Sequence, residues 1–565
     1  MSSPAAPRIQ TSLSTPRVAV SPWFILLVMA SGFFMILLDT TIVNVSIPSV
    51  IDSLHASLDQ ILWVLNAYIL VYAVLLITAG RLGDMIGPRR MFMTGLILFV
   101  LSSMACGFAQ SPNQLIFFRV IQGVGGAILT PQTLTMITSI FPPEKRGAAF
   151  GVWGAVAGVA AVTGPILGGF LTTDFSWRAI FYVNVPIGIA VLILAFLVVP
   201  ELTVHRKHTL DIPGVLLASL GLFALVFGLI EGQRYNWGRI VNAGSFNIGS
   251  LQASLISIPT ILAASIVLLA AFVIVEARTE EPLLPLSLFK DRNFSVANTV
   301  SGVVTFAMFG LFLPMTIFLQ SVLGLDALHA GFVFTPMALT STFVAPFAGR
   351  MVDRVGGKWI LTLGLTLFAI GFGMVIAFAS LNSQGLSFTL PLILAGIGMG
   401  CTFAPLTTLA MQNVPPASAG AASGFLNTMR QVGGAVGSSV IGAVLQYRLS
   451  IDLHSQAVRY AAQLPIRARA GFIQGFSAHG GLEVGRGQTG LTIPHNLPVG
   501  LVHQLETLGL QVFHHAFLLA MKPTLAISIA ALAIGAATTL LMRDAQHDER
   551  AVPAYERPRM AVASE

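Results

Sequence analysis

Charged residues are scarce in this chain. Asp, Glu, Lys and Arg together make up 9% of its 565 residues, whereas 55% are hydrophobic. Because soluble globular domains carry about a quarter charged residues, this chain has too little polar surface to face water on all sides. The shortage excludes an ordinary soluble protein and predicts an integral membrane protein surrounded by a lipid bilayer.

Cysteine is almost absent, and the residue clusters that metals and nucleotides require are absent too. Cys106 and Cys401 both lie inside apolar runs, which indicates small core residues and neither a disulfide nor a metal site. The sequence has no GxxxxGK(S/T) phosphate loop, which argues against an ATP-driven pump. It also has no nucleophile elbow and no His/Cys/Asp metal set. We therefore predict no enzyme activity, no catalytic or metal-ligating residue and no bound cofactor.

Long apolar runs are what the sequence does contain. A helix needs about twenty apolar residues to cross a bilayer core, and fourteen such runs follow one another. They lie near 23–47, 61–80, 91–109, 115–140, 147–171, 178–199, 212–231, 255–275, 294–322, 328–348, 359–379, 387–411, 418–445 and 524–542. The first run continues without a small-residue cleavage site, so we expect no removable signal peptide.

Basic residues cluster in the loops on one side of these runs. Lys or Arg occurs in the loops 81–90, 141–146, 200–211, 276–293 and 349–358, and neither occurs in the short opposite loops 48–60, 110–114, 323–327 and 380–386. By the positive-inside rule the first set is cytoplasmic. We predict a multi-pass protein of the cell (inner or plasma) membrane with both termini in the cytoplasm. The same placement accounts for the net charge of +7 without a nucleic-acid partner.

An internal repeat indicates two related halves. Residues 80–90 read GRLGDMIGPRR and residues 349–358 read GRMVDRVGGK, so that three positions of the first copy, Gly80, Asp84 and Gly87, align with Gly349, Asp353 and Gly356. Each copy follows the second run of a six-run set, and the seventh and eighth runs are left over. This pattern is typical of parallel-repeat transporters.

The repeat predicts an all-α polytopic fold with two six-helix bundles, two linker helices and fourteen transmembrane helices in all. The predicted divisions are a cytoplasmic tail 1–22, an N-terminal bundle 23–199, a linker pair with flanking loops 200–293, a C-terminal bundle 294–542 and a cytoplasmic tail 543–565. The C-terminal bundle includes an external loop 446–512. Residues 501–521 of that loop have apolar residues at helical spacing before Pro523, which predicts an interfacial helix.

Two opposite charges inside apolar runs are candidates for function, because a charge inside a bilayer is costly. From the 1.5 Å rise of a helix, Asp39 lies ~24 Å in from one surface and Arg119 about 6 Å in from the other. Both then fall in the outer third of the bilayer, where they can pair. A carboxylate whose distance to an arginine changes also changes its affinity for protons, which suits proton coupling. A purely structural bridge between the first and fourth runs is the alternative.

Four motifs in order give the chain a family resemblance. They are LDTTIVNVSIP with Asp39, GRLGDMIGPRR, RVIQGVGGA with Arg119, and GPILGG at 164–169. The chain resembles the fourteen-span drug:proton antiporters of the major facilitator superfamily, the EmrB/QacA type. The resemblance implies export of amphipathic drugs or toxic small molecules by alternating access, driven by the proton gradient. Export of one endogenous product, such as a siderophore, lipid or antibiotic, is the alternative, and a non-transporting scaffold or receptor is a more distant one.

In that family the repeated loop motif latches the cytoplasmic face in the outward-open state, through charge contacts and helix dipoles. The corresponding residues here are Gly80, Arg81, Asp84, Gly87, Arg89, Arg90, Gly349, Arg350, Asp353, Arg354 and Gly356. Met85 and Pro88 depart from the family pattern, so we expect weaker latch contacts in the first half. Simple positive-inside anchoring would explain the arginines, although not the matched Asp–Gly spacing.

The remaining candidates belong to the fifth run and to the path between the halves. Gly164, Pro165, Gly168 and Gly169 permit close helix approach and a bend; by resemblance they limit proton leakage, and ordinary packing is the alternative. Candidate cavity residues are Asn44, Trp63, Tyr68, Gln122, Asn427 and Arg430. For Arg430 three roles are open: holding the halves together, neutralising an acid or touching substrate.

The predicted partners are a small-molecule substrate, protons and the lipid bilayer. We expect the protein to function as a monomer, and a periplasmic adaptor protein is left open.

Overall fold

The computed structural model describes residues 20–201, 210–240, 257–477 and 499–543, and most of the predicted tails and parts of three loops lie outside them. The described chain folds into α-helices joined by short loops, which confirms the all-α prediction. The helices are α1 Pro22–Leu54, α2 Leu58–Ile86, α3 Pro88–Gly107, α4 Pro112–Ile140, α5 Pro143–Asp174, α6 Ala179–Tyr182, α7 Asn184–Val198, α8 Ile212–Gly232, α9 Ile258–Glu276, α10 Arg292–Ile317, α11 Ala327–Val355, α12 Lys358–Phe378, α13 Thr389–Met411, α14 Ala419–Ala461, α15 Ile466–Ser477 and α16 Val499–Thr539.

Helix ends follow from local sequence signals. Ser57 and Gln60 form a capping box at the start of α2, in which the Gln60 side chain accepts from the Ser57 N–H at 3.0 Å. At the other end, Gly87 ends α2 with φ of 106°, and Gly356 ends α11 with φ of 86°. Residues other than glycine rarely adopt this left-handed backbone. The aligned glycines of the two loop motifs therefore stop two equivalent helices in the same way.

The fourteen predicted runs all coincide with long helices, or with the consecutive pair α6 and α7. By length and composition, 12 of the helical segments in the described ranges are apolar enough to cross a membrane. The other two long helices are α5 and α14, which have 32 and 43 residues and are rich in Gly, Ala and Ser. Small residues lower the hydropathy of these two helices and let them pack closely against their neighbours.

The helices form two groups joined by a pair. Helices α1–α7 pack with one another, α10–α14 pack with α16, and α8 packs mainly along α9. Two hydrogen bonds attach α8 to the second group: Gln233 Nε2 donates to the Ser439 carbonyl at 3.0 Å, and Ser439 Oγ donates to the Leu229 carbonyl at 2.6 Å. This packing matches two bundles with linker helices α8 and α9. The residue limits predicted for the divisions stay predictions.

The segment predicted as external loop 446–512 is largely helical. Helix α14 continues through Ala461, α15 follows, and α16 begins at Val499, while residues 478–498 lie outside the described ranges. The helix predicted over 501–521 is present, but it does not end at Pro523, because α16 runs unbroken through that residue for 41 residues. A cluster around Leu464, Phe472 and Leu508 packs α14, α15 and α16 together. Pro523 lacks a backbone N–H, so α16 has one hydrogen bond fewer at that turn.

Candidate functional site

Asp39 and Arg119 form a buried ion pair between α1 and α4. Arg119 Nη1 lies 2.5 Å from Asp39 Oδ2, and the two side chains are 2% and 0% exposed. Arg119 Nε also donates to the Val64 carbonyl of α2 at 3.1 Å. The structure thus brings together the two charges that the sequence placed at similar depth, and it ties three helices at that point.

Neutral donors complete the surroundings of the Asp39 carboxylate. Gln122 Nε2 donates to Asp39 Oδ1 at 2.9 Å, and Asn184 Nδ2 donates to the same oxygen at 3.3 Å. The Gln122 side-chain oxygen in turn accepts from Arg119 Nη1 at 2.8 Å. Both carboxylate oxygens therefore face hydrogen-bond donors.

Tyr68 and Asn184 adjoin the same ion pair, and we call Asp39, Arg119, Gln122, Tyr68 and Asn184 the Asp39 cluster. The Arg119 guanidinium carbon lies 4.2 Å from the centre of the Tyr68 ring. Asn184 Nδ2 also donates to Ser103 Oγ at 3.1 Å, which links α7 to α3. Sequence reasoning missed Asn184. A polar amide inside the apolar run 178–199 was the signal, but no pattern connected it to a residue so far away in the chain.

Asp84 and Asp353 each cross from one half of the molecule to the other. The Asp84 carboxylate accepts from the backbone N–H groups of Gly420 at 2.7 Å and Ala421 at 2.9 Å, in the first turn of α14. The Asp353 carboxylate accepts from Gly147 at 2.8 Å and Ala148 at 2.9 Å, near the start of α5. The N-terminal end of a helix favours a negative charge. We call these two contacts the latches, and the end of the molecule where they lie the motif end.

Glycines permit the close backbone approach at both latches. A Cβ on Gly80 would collide with the backbone carbonyl of Gly420, and a Cβ on Gly349 would collide with that of Gly147. The two latches are equally short, so the expected weakening in the first half is wrong. Asp84 bonds backbone N–H groups, and these contacts do not depend on which side chains stand at positions 85 and 88.

The arginines of the loop motifs make contacts within their own half. Arg89 Nη2 donates to the Phe196 carbonyl at 2.6 Å, and both Arg89 and Arg90 pair with Glu201 after α7. In the second copy, the Arg350 guanidinium lies 5.6 Å from the Phe347 ring on its own helix. Arg81 is buried and Arg354 is exposed. The aspartates, rather than Arg89, Arg90 and Arg350, thus make the crossing contacts.

The GPILGG segment of α5 packs against α1. A Cβ on Gly164 would collide with the Thr41 side chain, and one on Gly168 would press on Ile42. Gly169 differs, because a Cβ there would meet nothing within 4 Å. The side chain of Pro165 lies outside the described part of the structure. Close packing therefore accounts for Gly164 and Gly168 but not for Gly169.

The candidate cavity residues separate into three sets. Tyr68 and Gln122 belong to the Asp39 cluster. Asn44 and Asn427 bond the carbonyls of Thr40 and Ser423 on their own helices, and Trp63 packs 6.0 Å from Phe227 of α8, measured between ring centres. The two Asn side chains are thus hydrogen-bonded within their own helices, and the Trp63 ring lies against linker helix α8. Among these six candidate residues, Arg430 is the one that contacts an aromatic ring of the other half, that of Trp153.

Arg430 lies where α5, α10, α13 and α14 meet. Its Nε donates to Ser301 Oγ at 3.2 Å and its Nη2 donates to Thr407 Oγ1 at 2.9 Å. Its guanidinium carbon is 5.4 Å from the ring centre of Trp153, on α5 of the other half, and 5.5 Å from that of Phe403. We call these five residues the Arg430 cluster. Three roles were open for Arg430, and for one of them, neutralising an acidic side chain, the described residues offer no partner, because no carboxylate among them pairs with Arg430.

Comparison with known proteins places the chain in a family. The family model described as "Major Facilitator Superfamily" matches residues 29–438. The Tetracenomycin C resistance and export protein of Streptomyces glaucescens is 31% identical over 95% of this chain and 94% of its own length. The multidrug resistance protein Stp of Mycobacterium tuberculosis is 35% identical over 76% of each chain. Relatives of this chain thus include multidrug-resistance and antibiotic-export proteins.

A solved structure agrees on the fold. The crystal structure of the human organic anion transporter MFSD10 (TETRAN) superimposes with a TM-score of 0.55, covering 91% of this chain and 100% of that one at 13% identity. At this identity the likeness concerns the fold alone. In the described ranges no group of three His, Cys, Asp or Glu side chains is placed to hold a metal ion.

Proposed function

The chain belongs to the Major Facilitator Superfamily, and on that basis we propose that it is a proton-coupled antiporter that exports amphipathic drugs or toxic small molecules by alternating access. Members of this superfamily are membrane transporters of small molecules rather than enzymes, they use ion gradients rather than a cofactor, and they typically work as monomers. The antiport mechanism and the direction of transport are the proposed part.

The buried Asp39–Arg119 pair carries this proposal. In general, a neighbouring arginine favours the ionised form of a carboxylate, and burial without such a partner favours the protonated form. Any shift of α1 against α4 that separates Asp39 from Arg119 thus promotes proton uptake, and their return promotes release. Because the pair also ties α2 through Val64, protonation is linked to movement within the first bundle.

The two latches support alternating access. Asp84 and Asp353 hold the halves together at one end by contacts to the starts of α14 and α5. The basic loops of that end favour its assignment to the cytoplasm, with both termini there and the protein in the cell membrane. With that end held closed, inward opening requires both latches to release. No observation supports a periplasmic adaptor.

Export of one endogenous product is the second candidate. The tetracenomycin C resistance and export protein matches 95% of this chain, so that the match takes in most of the segment 446–512. By analogy, this chain would export one antibiotic-like product of its own cell. Transport assays with a panel of structurally unrelated compounds distinguish the two candidate functions. Export of many of the compounds supports a multidrug exporter, and export of a single chemical scaffold supports an exporter of one product.

Flux in proteoliposomes tests the proton coupling. Wild-type protein and the Asp39→Asn variant are reconstituted, and efflux of rhodamine 123 or fluorescein is followed with and without an imposed pH gradient. We expect the wild type to export at least one dye faster with the gradient. Asp39→Asn should fold and insert but lose the gradient-dependent part.

Asp52→Asn is the matched control. It makes the same substitution on the same helix at an exposed position, and it should keep the wild-type response. Full gradient-driven efflux by Asp39→Asn, normalised to folded protein, would remove Asp39 from the coupling step.

A further inference from the structure

Arg119 and Arg430, two of the buried arginines among the described residues, differ in how their charge is compensated. Arg119 faces the Asp39 carboxylate at 2.5 Å. Arg430 is only 9% exposed, yet the side chains that bond it are the neutral hydroxyls of Ser301 and Thr407. A buried charge without a counter-ion is costly. A fold that keeps such a charge leaves a place where an anion is favoured.

Unused hydrogen-bond donors accompany this charge. A guanidinium carries five N–H donors, and the two protein contacts of Arg430 leave donors on Nη1 and Nη2 free of protein acceptors in the described structure. The indole Nε1 of Trp153, in the same cluster, is buried and also has no partner among the described residues. The cluster therefore has an excess of donors and lacks an acceptor. Carboxylate, enolate or phenolate oxygens supply what is missing.

Flat aromatic surfaces border the same place. The rings of Trp153 and Phe403 lie 5.4 and 5.5 Å from the guanidinium carbon, and Trp153 stacks on Phe33 of α1 with 4.4 Å between ring centres. Aromatic walls beside a cation suit a planar aromatic ring that carries an acidic group, since the ring can stack while the acid meets the guanidinium.

The position of the cluster connects it to the moving parts. Arg430 lies ten residues beyond Gly420, or ~15 Å along α14 from the Asp84 latch. Trp153 lies on α5, shortly after Gly147, whose backbone N–H donates to Asp353 in the second latch. A ligand held by both side chains would bridge the two helices that the latches hold, between the halves and near mid-depth.

We propose that the Arg430 cluster is the part of the transport path that recognises the acidic group of a planar aromatic acid. This inference rests on the proposed exporter function and adds its substrate class. Arg430 supplies the counter-charge, the Trp153 and Phe403 rings supply the stacking surface, and Ser301 and Thr407 orient the guanidinium.

Direct binding to the purified full-length protein tests the substrate class. Fluorescein and rhodamine 123 share a xanthene ring system but carry opposite charges, so fluorescence anisotropy at one fixed pH compares an anion and a cation on one scaffold. We expect wild-type protein to bind fluorescein about tenfold or more tightly than rhodamine 123, the range of one charge-assisted hydrogen bond. Arg430→Gln should abolish that preference. Arg430→Lys, which keeps the charge but loses the planar fork, should keep part of it.

Arg459→Gln is the control, because it removes one positive charge from an exposed position on the same helix and should leave both affinities unchanged. The preference is a ratio measured on one protein sample, so a reduced yield of a folded variant does not distort it. If Arg430→Gln fails to fold, the ratio of the two dye affinities in the wild type and in Arg430→Lys still tests the proposal. The proposal would be overturned if the wild type bound rhodamine 123 more tightly or bound both dyes equally. It would also be overturned if Arg430→Gln lowered the affinities for both dyes by the same factor.

Binding in detergent needs no proton gradient, which keeps this test separate from the test of antiport. Gradient-driven efflux of rhodamine 123 without fluorescein binding would reject the substrate class and leave the exporter function standing. Selective fluorescein binding without gradient-driven flux would reject proton coupling and leave the binding site standing.

Discussion

At the scale of single residues, the Asp39 carboxylate combines full burial with hydrogen bonds to both of its oxygens. The carboxylate accepts from Arg119, Gln122 and Asn184, so its charge is compensated without water. Breaking one side of a buried pair costs about 3–5 kcal/mol because the other charge stays behind unpaired. Variants at these positions must therefore be judged per folded molecule, and pH dependence separates a coupling role from a structural one.

Replacing Arg119 removes the charge that favours ionised Asp39. In Arg119→Ala, Asp39 should hold its proton to higher pH, so residual gradient-driven efflux should be low and its pH optimum should move to the alkaline side. Arg119→Lys should restore part of the activity, since an ammonium keeps the charge but not the bidentate geometry. The measurement is efflux against pH in proteoliposomes, normalised to folded protein. A normal pH profile in folded Arg119→Ala would leave only a structural bridge.

Replacing Asn184 tests the same effect on the pH optimum of efflux, with a smaller expected shift. Asn184→Ala deletes one donor to Asp39 and one contact to Ser103, and we expect a loss of about 1.5–3 kcal/mol in the free energy of unfolding. The pH optimum should move in the same direction as in Arg119→Ala but by less, because an amide dipole is weaker than a full charge. A shift equal to or larger than that of Arg119→Ala would contradict this order of contributions.

At the scale of helices, the two latches predict equivalent behaviour in the two halves. Asp84→Ala and Asp353→Ala each remove two hydrogen bonds from a carboxylate to backbone N–H groups, worth about 1.5–3 kcal/mol each. We expect each variant to lose at least about tenfold in turnover while its dye affinity in detergent changes little, since neither residue touches the Arg430 cluster. Binding and saturating flux measured on the same preparation test this. Weaker binding with normal turnover at saturation would assign these residues to substrate recognition instead.

The α1–α5 contact gives a second test at this scale, with its control in the same motif. Gly164→Ala places a methyl group against Thr41 and should destabilise the protein by about 1–3 kcal/mol through overpacking. Gly169→Ala meets open space and should stay within about 0.5 kcal/mol of the wild type. Thermal unfolding of the two purified variants makes the comparison. Equal melting temperatures would mean that α5 does not press on α1 at Gly164.

At the scale of the whole molecule, apolar run length predicted every long helix, because the bilayer imposes a minimum length that the sequence must satisfy. The Asp–Gly repeat predicted which residues form the latches, since Gly87 and Gly356 need a backbone that other residues rarely adopt. The acceptor helices could not be predicted, because Asp84 bonds backbone groups of Gly420 and Ala421 that carry no side-chain signature.

The sequence also could not show which residues distant in the chain are partners in the fold. Arg89 and Arg90 resemble latch residues by spacing, but Glu201 at the end of α7 is the acid within their reach. Within the segment 446–512 only the helix over 501–521 was predicted; the continuation of α14 and helix α15 were missed because they mix apolar and charged residues outside the apolar runs, and Pro523 suggested a break in α16. The structure of that segment depends on the packing of α14, α15 and α16 against one another. Such packing involves residues distant in sequence, which no local pattern reveals.

Proton movement coupled to substrate movement tests the central claim most directly. Proteoliposomes in weakly buffered medium, with the membrane potential clamped by valinomycin and potassium, receive whichever of the two dyes the wild type transports faster, and an external pH electrode records the response. Antiport predicts that dye entry drives protons out, so that the medium becomes acidic with wild-type protein and with Asp52→Asn, but not with Asp39→Asn. Dye entry with no pH change, or with alkalinisation of the medium, would contradict the antiporter account.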